Sequence, residues 1–550
     1  MGFLDASIVL IALPAIFRGI HLDPLQPSNS GYLLWMLLGY LVVTAVLVVT
    51  FGRIGDMYGR VRVYTLGFAV FTVGSAALAL VPARGASGAM ELIVLRIVQG
   101  VGGAMLMANS SAIITDAFPA EERGKALGVN QIFTVLGTFS GLVLGGVLAS
   151  VDWRLVFWVN VPIGIVGTLW ARHTLREVAV REPTRLDLAG NVVFGTGLVA
   201  VLLGITYGIR PYGGHEMGWT GPAVIGELAG GVLLLVVFCR IELHASHPML
   251  DLRLFRVRAF ASGIGASLLA AIARGGVQFM VAIWLQGIWL PLRGVGTADT
   301  PLRAGLYMLP LTLGLLMVGP ASGYLSDRWG SRPFAVTGLL LAGLSMVLLL
   351  WLPADFPYWA LAGVLLLNGM GQALFLAPNV SSIMTSVPAT HRGAASGVIA
   401  TSRNSGVVIS IGTYFTLLVL GLGGELSRSL SHSLLLLGVA PGPAAKLAHL
   451  SPVSVLFAAF LGYNPLRHGA GPALLAGLGP AKRAVLTSGS FLPHAIAGPF
   501  LNGVRIAALA SAGMFLVAAA ASYTRGARVP PSPARARPLG KGEEGVRVRR

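Results

Sequence analysis

The sequence predicts an all-α membrane protein: two six-helix halves with two further helices inserted between them, about fourteen spans in all. Three observations carry this. Only 11 % of the 550 residues are charged and 55 % are hydrophobic, against about 25 % charged in soluble globular chains. Apolar runs of about 20 residues, each long enough for a hydrocarbon core about 30 Å thick, recur from end to end. A stretch of the first half is repeated in the second.

Spans are expected at roughly 2–20, 31–51, 63–82, 90–112, 125–149, 154–172, 187–208, 220–240, 260–287, 304–324, 334–352, 358–384, 393–420 and 501–523. Backbone groups in lipid must be satisfied within the segment, so these runs are helices, and their many glycines let neighbours approach closely. Residues 243–259 alternate apolar and basic side chains and read as an amphipathic helix on the membrane surface. Residues 421–500 form a long outer loop too apolar for a solvated linker, for which a hairpin packed on the outer face is one arrangement. The Pro/Arg-rich tail from 524 to 550 reads as disordered. The expected organisation is an N-terminal half over 1–172, the insertion over 173–259, the C-terminal half with its outer loop over 260–523, and the tail. Asp5 stands so near Met1 that either the first helix begins unusually late or the true start lies upstream.

The net charge of +18 reflects topology rather than nucleic-acid binding. Taking the loop of Arg53, Arg60 and Arg62 as cytoplasmic, the loops on that side hold sixteen Arg and Lys and those on the other side six. The positive-inside rule then places both termini in the cytoplasm of a multi-pass inner-membrane protein. The predominance of arginine with abundant Gly and Ala fits a GC-rich bacterial genome. The single cysteine, Cys239, excludes an internal disulfide and a zinc cluster and reads as a buried, inert thiol. No metal or cofactor is expected. There is no His-Glu-x-x-His, nucleophile turn, paired carboxylate or P-loop, which argues against an enzyme and against direct use of ATP.

Residues 100–128 align on 369–397 without a gap. Gly52-Arg-Ile-Gly55-Asp56-Met-Tyr-Gly59 likewise resembles Gly323-Tyr-Leu-Ser-Asp327-Arg-Trp-Gly330. Both pairs join corresponding helices in the same orientation, a parallel repeat around a central path. Within the apolar runs a few polar groups stand out: Asp5, Arg96, Gln99, Glu227, Arg274, Gln278, Gln286 and Arg403. An ionisable group at membrane depth is a functional-site hypothesis by default. Arg274, Gln278, Gln286, Arg403 and Gln99 are candidates to line a path. A structural pair of Arg274 with Glu227 is the alternative for Arg274.

These motifs resemble the major facilitator superfamily and, within it, the fourteen-helix drug:proton antiporters of multidrug efflux type. Gly52, Gly55, Asp56, Gly59, Arg60 and Arg62 match the superfamily's loop between helices 2 and 3, which implies a conformational latch. Asp56 there can pair with a basic neighbour or cap a helix. Leu4-Asp5-Ala-Ser-Ile-Val-Leu-Ile-Ala-Leu-Pro14 is similar to the family's helix 1 motif, and Leu95-Arg96-Ile-Val-Gln99-Gly100 to its helix 4 motif. The resemblance implies that Asp5 takes protons and Arg96 tunes it. The repeat has Leu365 where this half has Arg96, so the fold alone does not demand the arginine. Against that, Asp5 can be read as capping a helix start, and Arg96 as a structural ion pair. Gly137, Gly141, Gly145 and Gly146 match the helix 5 antiporter motif, with Leu142 where the family has proline, which removes the expected kink.

The function so implied is proton-coupled efflux of amphipathic or hydrophobic small molecules such as drugs, by alternating access. The partners are substrate, protons and the lipid bilayer, and the chain works as a monomer. Export of one endogenous lipid or metabolite is the alternative within this fold. A membrane-embedded enzyme or a sensor is the alternative of another class, and an uncoupler separates these, since it collapses only gradient-driven transport.

Overall fold

The computed structural model describes residues 1–22, 29–118, 123–177, 187–208, 212–213, 217–245, 252–296, 299–387, 392–462, 464 and 478–525. The first half is α1 (Gly2–Gly19), α2 (Ser30–Tyr58), α3 (Arg60–Ala79), α4 (Gly85–Ala117), α5 (Arg123–Val151) and α6 (Leu155–Thr174). Two inserted helices follow, α7 (Leu188–Gly208) and α8 (Pro222–His244). The second half holds α9 (Arg258–Leu292), α10 (Thr300–Tyr307 and Leu309–Trp329), α11 (Ser331–Leu349), α12 (Tyr358–Thr385) and α13 (Arg392–Gly423). The outer segment forms α14 (Leu426–Leu436), α15 (Pro441–Ala448), α16 (Pro452–Leu461) and α17 (Pro480–Thr487), and α18 (Phe491–Tyr523) closes the half. Among the described residues thirteen of these are long and apolar enough to cross a membrane; α5 is a helix of 29 residues whose apolar stretch, Leu136–Val151, is shorter than those.

Successive spans alternate in direction. One end of the bundle carries the α2–α3 and α10–α11 turns with their arginines and is called the basic end below. Each of these turns is one residue long. Gly59 (φ 109°) and Gly330 (φ 89°) stop one helix, and the next residue starts another. Both are in the positive-φ region that glycine alone enters without strain, and they occupy equivalent places in the repeat. Residues 52–58, expected in a loop, are therefore the last turns of α2.

The halves meet along α2 with α13 and along α5 with α10. The inserted α7 packs on α2 and α13, where Thr50 donates to Asn191 Oδ1 at 2.7 Å. The outermost helix α8 packs mainly on α7. Its free face is apolar, with Val232, Leu233 and Val236 exposed, as a lipid-facing helix requires. Cys239 belongs to this exposed surface, so the expectation of a buried thiol is corrected: an apolar run in lipid has an outer face as well as an inner one.

Three further expectations change. The amphipathic surface helix over 243–259 is absent as a continuous element: α8 runs to His244, residues 246–251 lie outside the described residues, and Leu252–Arg256 is one 3-10 turn before α9. The last span begins at Phe491 rather than 501, because α18 accommodates Pro499, as membrane helices packed against neighbours can. The outer loop is not confined to the outer face. Nine of the ten residues of α16 are buried, and it packs on α1, α13 and the end of α9. Phe457 stacks on Phe415 at 4.7 Å. The 524–550 tail lies outside the described residues after Arg525.

Candidate functional site

The most polar place in the first half is a closed cluster around Asp5, which is fully buried within α1. Arg96 and Gln99 are three residues apart on α4 and so share a face. An Arg96 Nη donates to Asp5 Oδ2 at 2.5 Å and to Gln99 Oε1 at 2.6 Å. Gln99 Nε2 donates to Asp5 Oδ1 at 3.1 Å and to Ser75 Oγ of α3 at 2.8 Å. Asn160 Nδ2, at the start of α6, donates to Asp5 Oδ1 at 2.8 Å. The Arg96 guanidinium lies 4.7 Å from the centre of the Tyr40 ring of α2. Five helices thus converge on one carboxylate. Its partners are all donors, so the arrangement is that of the ionised form, and a proton on Oδ2 would displace Arg96. The pair is neutral as a unit, and breaking such a buried pair by deleting one partner typically costs about 3–5 kcal/mol.

A second cluster lies at the basic end. Arg60, the first residue of α3, bonds Asp56 at 2.7 Å and Asp116 of α4 at 2.6 Å. The start of α3 receives a carboxylate from beyond α6: the backbone N–H groups of Arg60 and Val61 donate to Glu177 at 2.9 and 3.1 Å, satisfying two free donors of a helix N-terminus. Asp56 is therefore a charge partner and not a cap. Gly55 packs on buried Asn109, whose Oδ1 would lie 2.0 Å from an added Cβ. Gly52 has open space around it and Arg62 is exposed, so these two motif residues are not held by packing.

The helix 5 glycines form a seam. A Cβ at Gly141 would lie 2.4 Å from Leu4 O, and one at Gly145 would lie 2.9 Å from Ile8 O, both on α1. At Gly146 it would lie 2.3 Å from Leu302 Cα of α10, and Gly305 returns the contact on Leu142 O at 2.5 Å. The two halves touch backbone to backbone here, at the end opposite the basic turns. Gly137 makes only ordinary contact with Leu4. Leu142 is buried, and α5 is one helix through it.

In the second half Arg274 of α9 and Arg403 of α13 are half-buried inside the protein, and Arg403 is Arg274's charged neighbour. The alternative pairing with Glu227 is not formed. Glu227 sits on outlying α8 with Oε2 unpartnered. Gln278 follows Arg274 by one turn and is also half-buried. Gln286 lies in a π-helical turn, Leu285–Trp289, that packs on α16; it is buried with neither amide atom partnered. Gln99 is bound into the Asp5 cluster. The side chain of Gln131, another amide in a span, is not among those described. No cluster of potential metal ligands occurs among the described residues.

Residues 1–411 match the family model described as Major Facilitator Superfamily. This chain belongs to the Major Facilitator Superfamily. Among the facilitators it resembles is the multidrug resistance protein Stp of Mycobacterium tuberculosis, 31 % identical over 437 residues, 79 % of this chain and 76 % of that one. The riboflavin transporter RibZ of Clostridioides difficile is 30 % identical, over 76 % of this chain and 84 % of that one. The tetracenomycin C resistance and export protein of Streptomyces glaucescens is 29 % identical, over 72 % and 70 %. A bacterial homologue of the lysosomal transporter Spinster, solved inward-facing, shares the fold with a TM-score of 0.56 at 15 % identity, covering 96 % of each chain. The protein is thus a multi-pass membrane transporter of that superfamily.

The sequence reading of this facilitator missed several contributors: Ser75, Asn160 and Tyr40 around Asp5, and Asp116 and Glu177 around Arg60. An amide alone in an apolar run, as Asn160 is, was the available signal. Ser75 and Tyr40 carry no such mark.

Proposed function

We propose that this facilitator exports amphipathic or hydrophobic small molecules in exchange for protons, by alternating access. The observation that carries the reading is Asp5: a buried carboxylate in the first half, bonded to Arg96, Gln99 and Asn160. Protonation of Asp5 releases Arg96, and with it the tie between α1 and α4. The α1 helix is also the surface against which the α5 glycines pack, so a change at Asp5 reaches the seam between the halves directly. In this reading the basic end and both termini face the cytoplasm. The N-terminal half spans 1–172 and the C-terminal half 260–523, and the chain acts as a monomer without ATP, as a carrier and not an enzyme. The names of the multidrug and tetracenomycin relatives support export. The riboflavin relative supports a second reading, carriage of one metabolite.

Purified protein in liposomes with an imposed pH gradient tests this with a panel of drugs, dyes and riboflavin. Uphill movement of several unrelated compounds, abolished by an uncoupler, is the expected result. Movement of riboflavin alone would favour the second reading, and gradient-independent movement would refute proton coupling.

A further inference from the structure

The second half carries two arginines at mid-membrane depth without a counter-charge. Arg274 lies midway along α9 and Arg403 a third of the way along α13, and these helices pack side by side. The sequences of α9, α11, α12, α13 and α18 contain no Asp or Glu, and the one acid of α10, Asp327, is at its basic end. In the first half the equivalent situation is resolved: Arg96 has Asp5. Two like charges held together inside a membrane protein oppose folding unless something compensates. Neither arginine has an ion-pair partner among the described residues.

The surroundings are prepared for a polar ligand. Most hydroxyls in the spans bond back to their own helix, as Ser410 does to Val407 O and Thr416 to Gly412 O. Ser402, next to Arg403, does not, and its buried hydroxyl oxygen has no partner; four residues on, Gly406 packs on Leu268 and Ala271 of α9, so this face of α13 is the one turned to α9. A buried polar group without a partner is a cost that ligand binding removes. Asn404, which follows Arg403, reaches across to Met107 Sδ of α4 at 3.7 Å, so this stretch of α13 faces the first half. Arg274 and Arg403 both keep part of their surface accessible.

We propose that Arg274 and Arg403 form an anion-binding subsite for the transported molecule, and that the substrates include amphipathic organic anions. The carboxylate, sulfonate or phenolate lies between the two guanidiniums, with the hydroxyl of Ser402 as a further donor. Guanidinium suits this role because its planar fork pairs with a carboxylate through two parallel bonds and its charge is permanent. The proposal deepens the export reading and rests on it for the word substrate, but the subsite is testable by binding alone.

Fluorescein and rhodamine 123 share a xanthene ring system and carry opposite charge. Fluorescence anisotropy with the purified full chain in nanodiscs gives both affinities. Fluorescein is expected to bind at least tenfold more tightly than rhodamine 123. Arg274→Gln and Arg403→Gln each reduce fluorescein affinity at least tenfold and leave rhodamine 123 unchanged or tighter. Arg274→Lys and Arg403→Lys, which keep the charge, fall between and stand in for a Gln variant that does not fold. Equal affinity for the two dyes, or undiminished fluorescein binding in folded Gln and Lys variants, overturns the proposal. So does Arg274-dependent binding of radiolabelled sulfate without binding of fluorescein, which marks a site for inorganic anions only. If fluorescein binds through both arginines but no pH gradient moves it, the subsite stands and the proton-coupling reading falls.

Discussion

Asp5 and Arg96 are tied so closely that removing the charge of one is expected to weaken the fold around the other. Arg96→Leu leaves a buried carboxylate unpaired, at a cost of about 3–5 kcal/mol. It is expected to lower the melting temperature and the yield, and adding Asp5→Asn to it should restore part of both. A double variant no more stable than Arg96→Leu would show that the pair does not act as a unit. Arg60 tests the second cluster. Its partners Asp56 and Asp116 are about one-quarter exposed, where one ion pair is worth about 1 kcal/mol or less. Asp56→Asn is therefore expected to keep expression but slow transport several-fold, and the double variant with Asp116→Asn tenfold or more. Undiminished transport in the double variant would remove the latch role. Asp5 and Arg96 were legible because a charge in an apolar run is costly, and Asp56 and Arg60 through the spacing of their glycine motif, but Asp116 and Glu177, at helix ends, carried no such mark. Ser75 and Asn160 were not, since an uncharged polar group in a membrane helix usually satisfies itself locally. Spacing put Gln99 on the face of Arg96 but did not say which helix that face meets.

At the scale of the element, the glycine motif of α5 divides by geometry. Gly146→Ala sets a Cβ against the Leu302 backbone, which has no rotamer with which to yield, whereas Gly137→Ala meets only ordinary contacts. The first is expected to reduce transport at least tenfold at normal protein level and the second to leave it near wild type. Equal behaviour of the two would refute the seam. The helix α16 makes a different prediction. In a Cys239→Ala background, Ala458→Cys is expected to resist a membrane-impermeant maleimide, while exposed Ala484→Cys reacts. Rapid labelling at 458 would place α16 in solvent. The span positions were legible from apolar length alone. The place of α16 was not: Pro-Val-Ser-Val-Leu-Phe-Ala-Ala-Phe-Leu is too short to cross a membrane, and nothing in nine apolar residues and a serine names the groove that receives them. The start of α18 was misplaced for a related reason, because a proline that breaks a helix in water is carried within a packed one.

Across the whole molecule, the repeat read from sequence reappears as two single-glycine turns at the same end of the two halves, Gly59 and Gly330. Its departures from symmetry are more informative. The first half pairs Arg96 with an acid; the second half has Leu365 as the counterpart of Arg96 and holds Arg274 and Arg403 with no acid on α9, α11, α12, α13 or α18. If the basic end is cytoplasmic, reporter fusions after Tyr64 and Gly190 should report the cytoplasm and fusions near Gly213 and Gly469 the outside; the reverse pattern would invert the account. The central claim is that Asp5 carries the proton, and the most direct test compares wild type with Asp5→Asn in liposomes under an imposed pH gradient. The variant is expected to lose uphill export while still exchanging labelled for unlabelled substrate across the membrane. Uphill export by Asp5→Asn at the wild-type rate would contradict the account and place the coupling acid elsewhere.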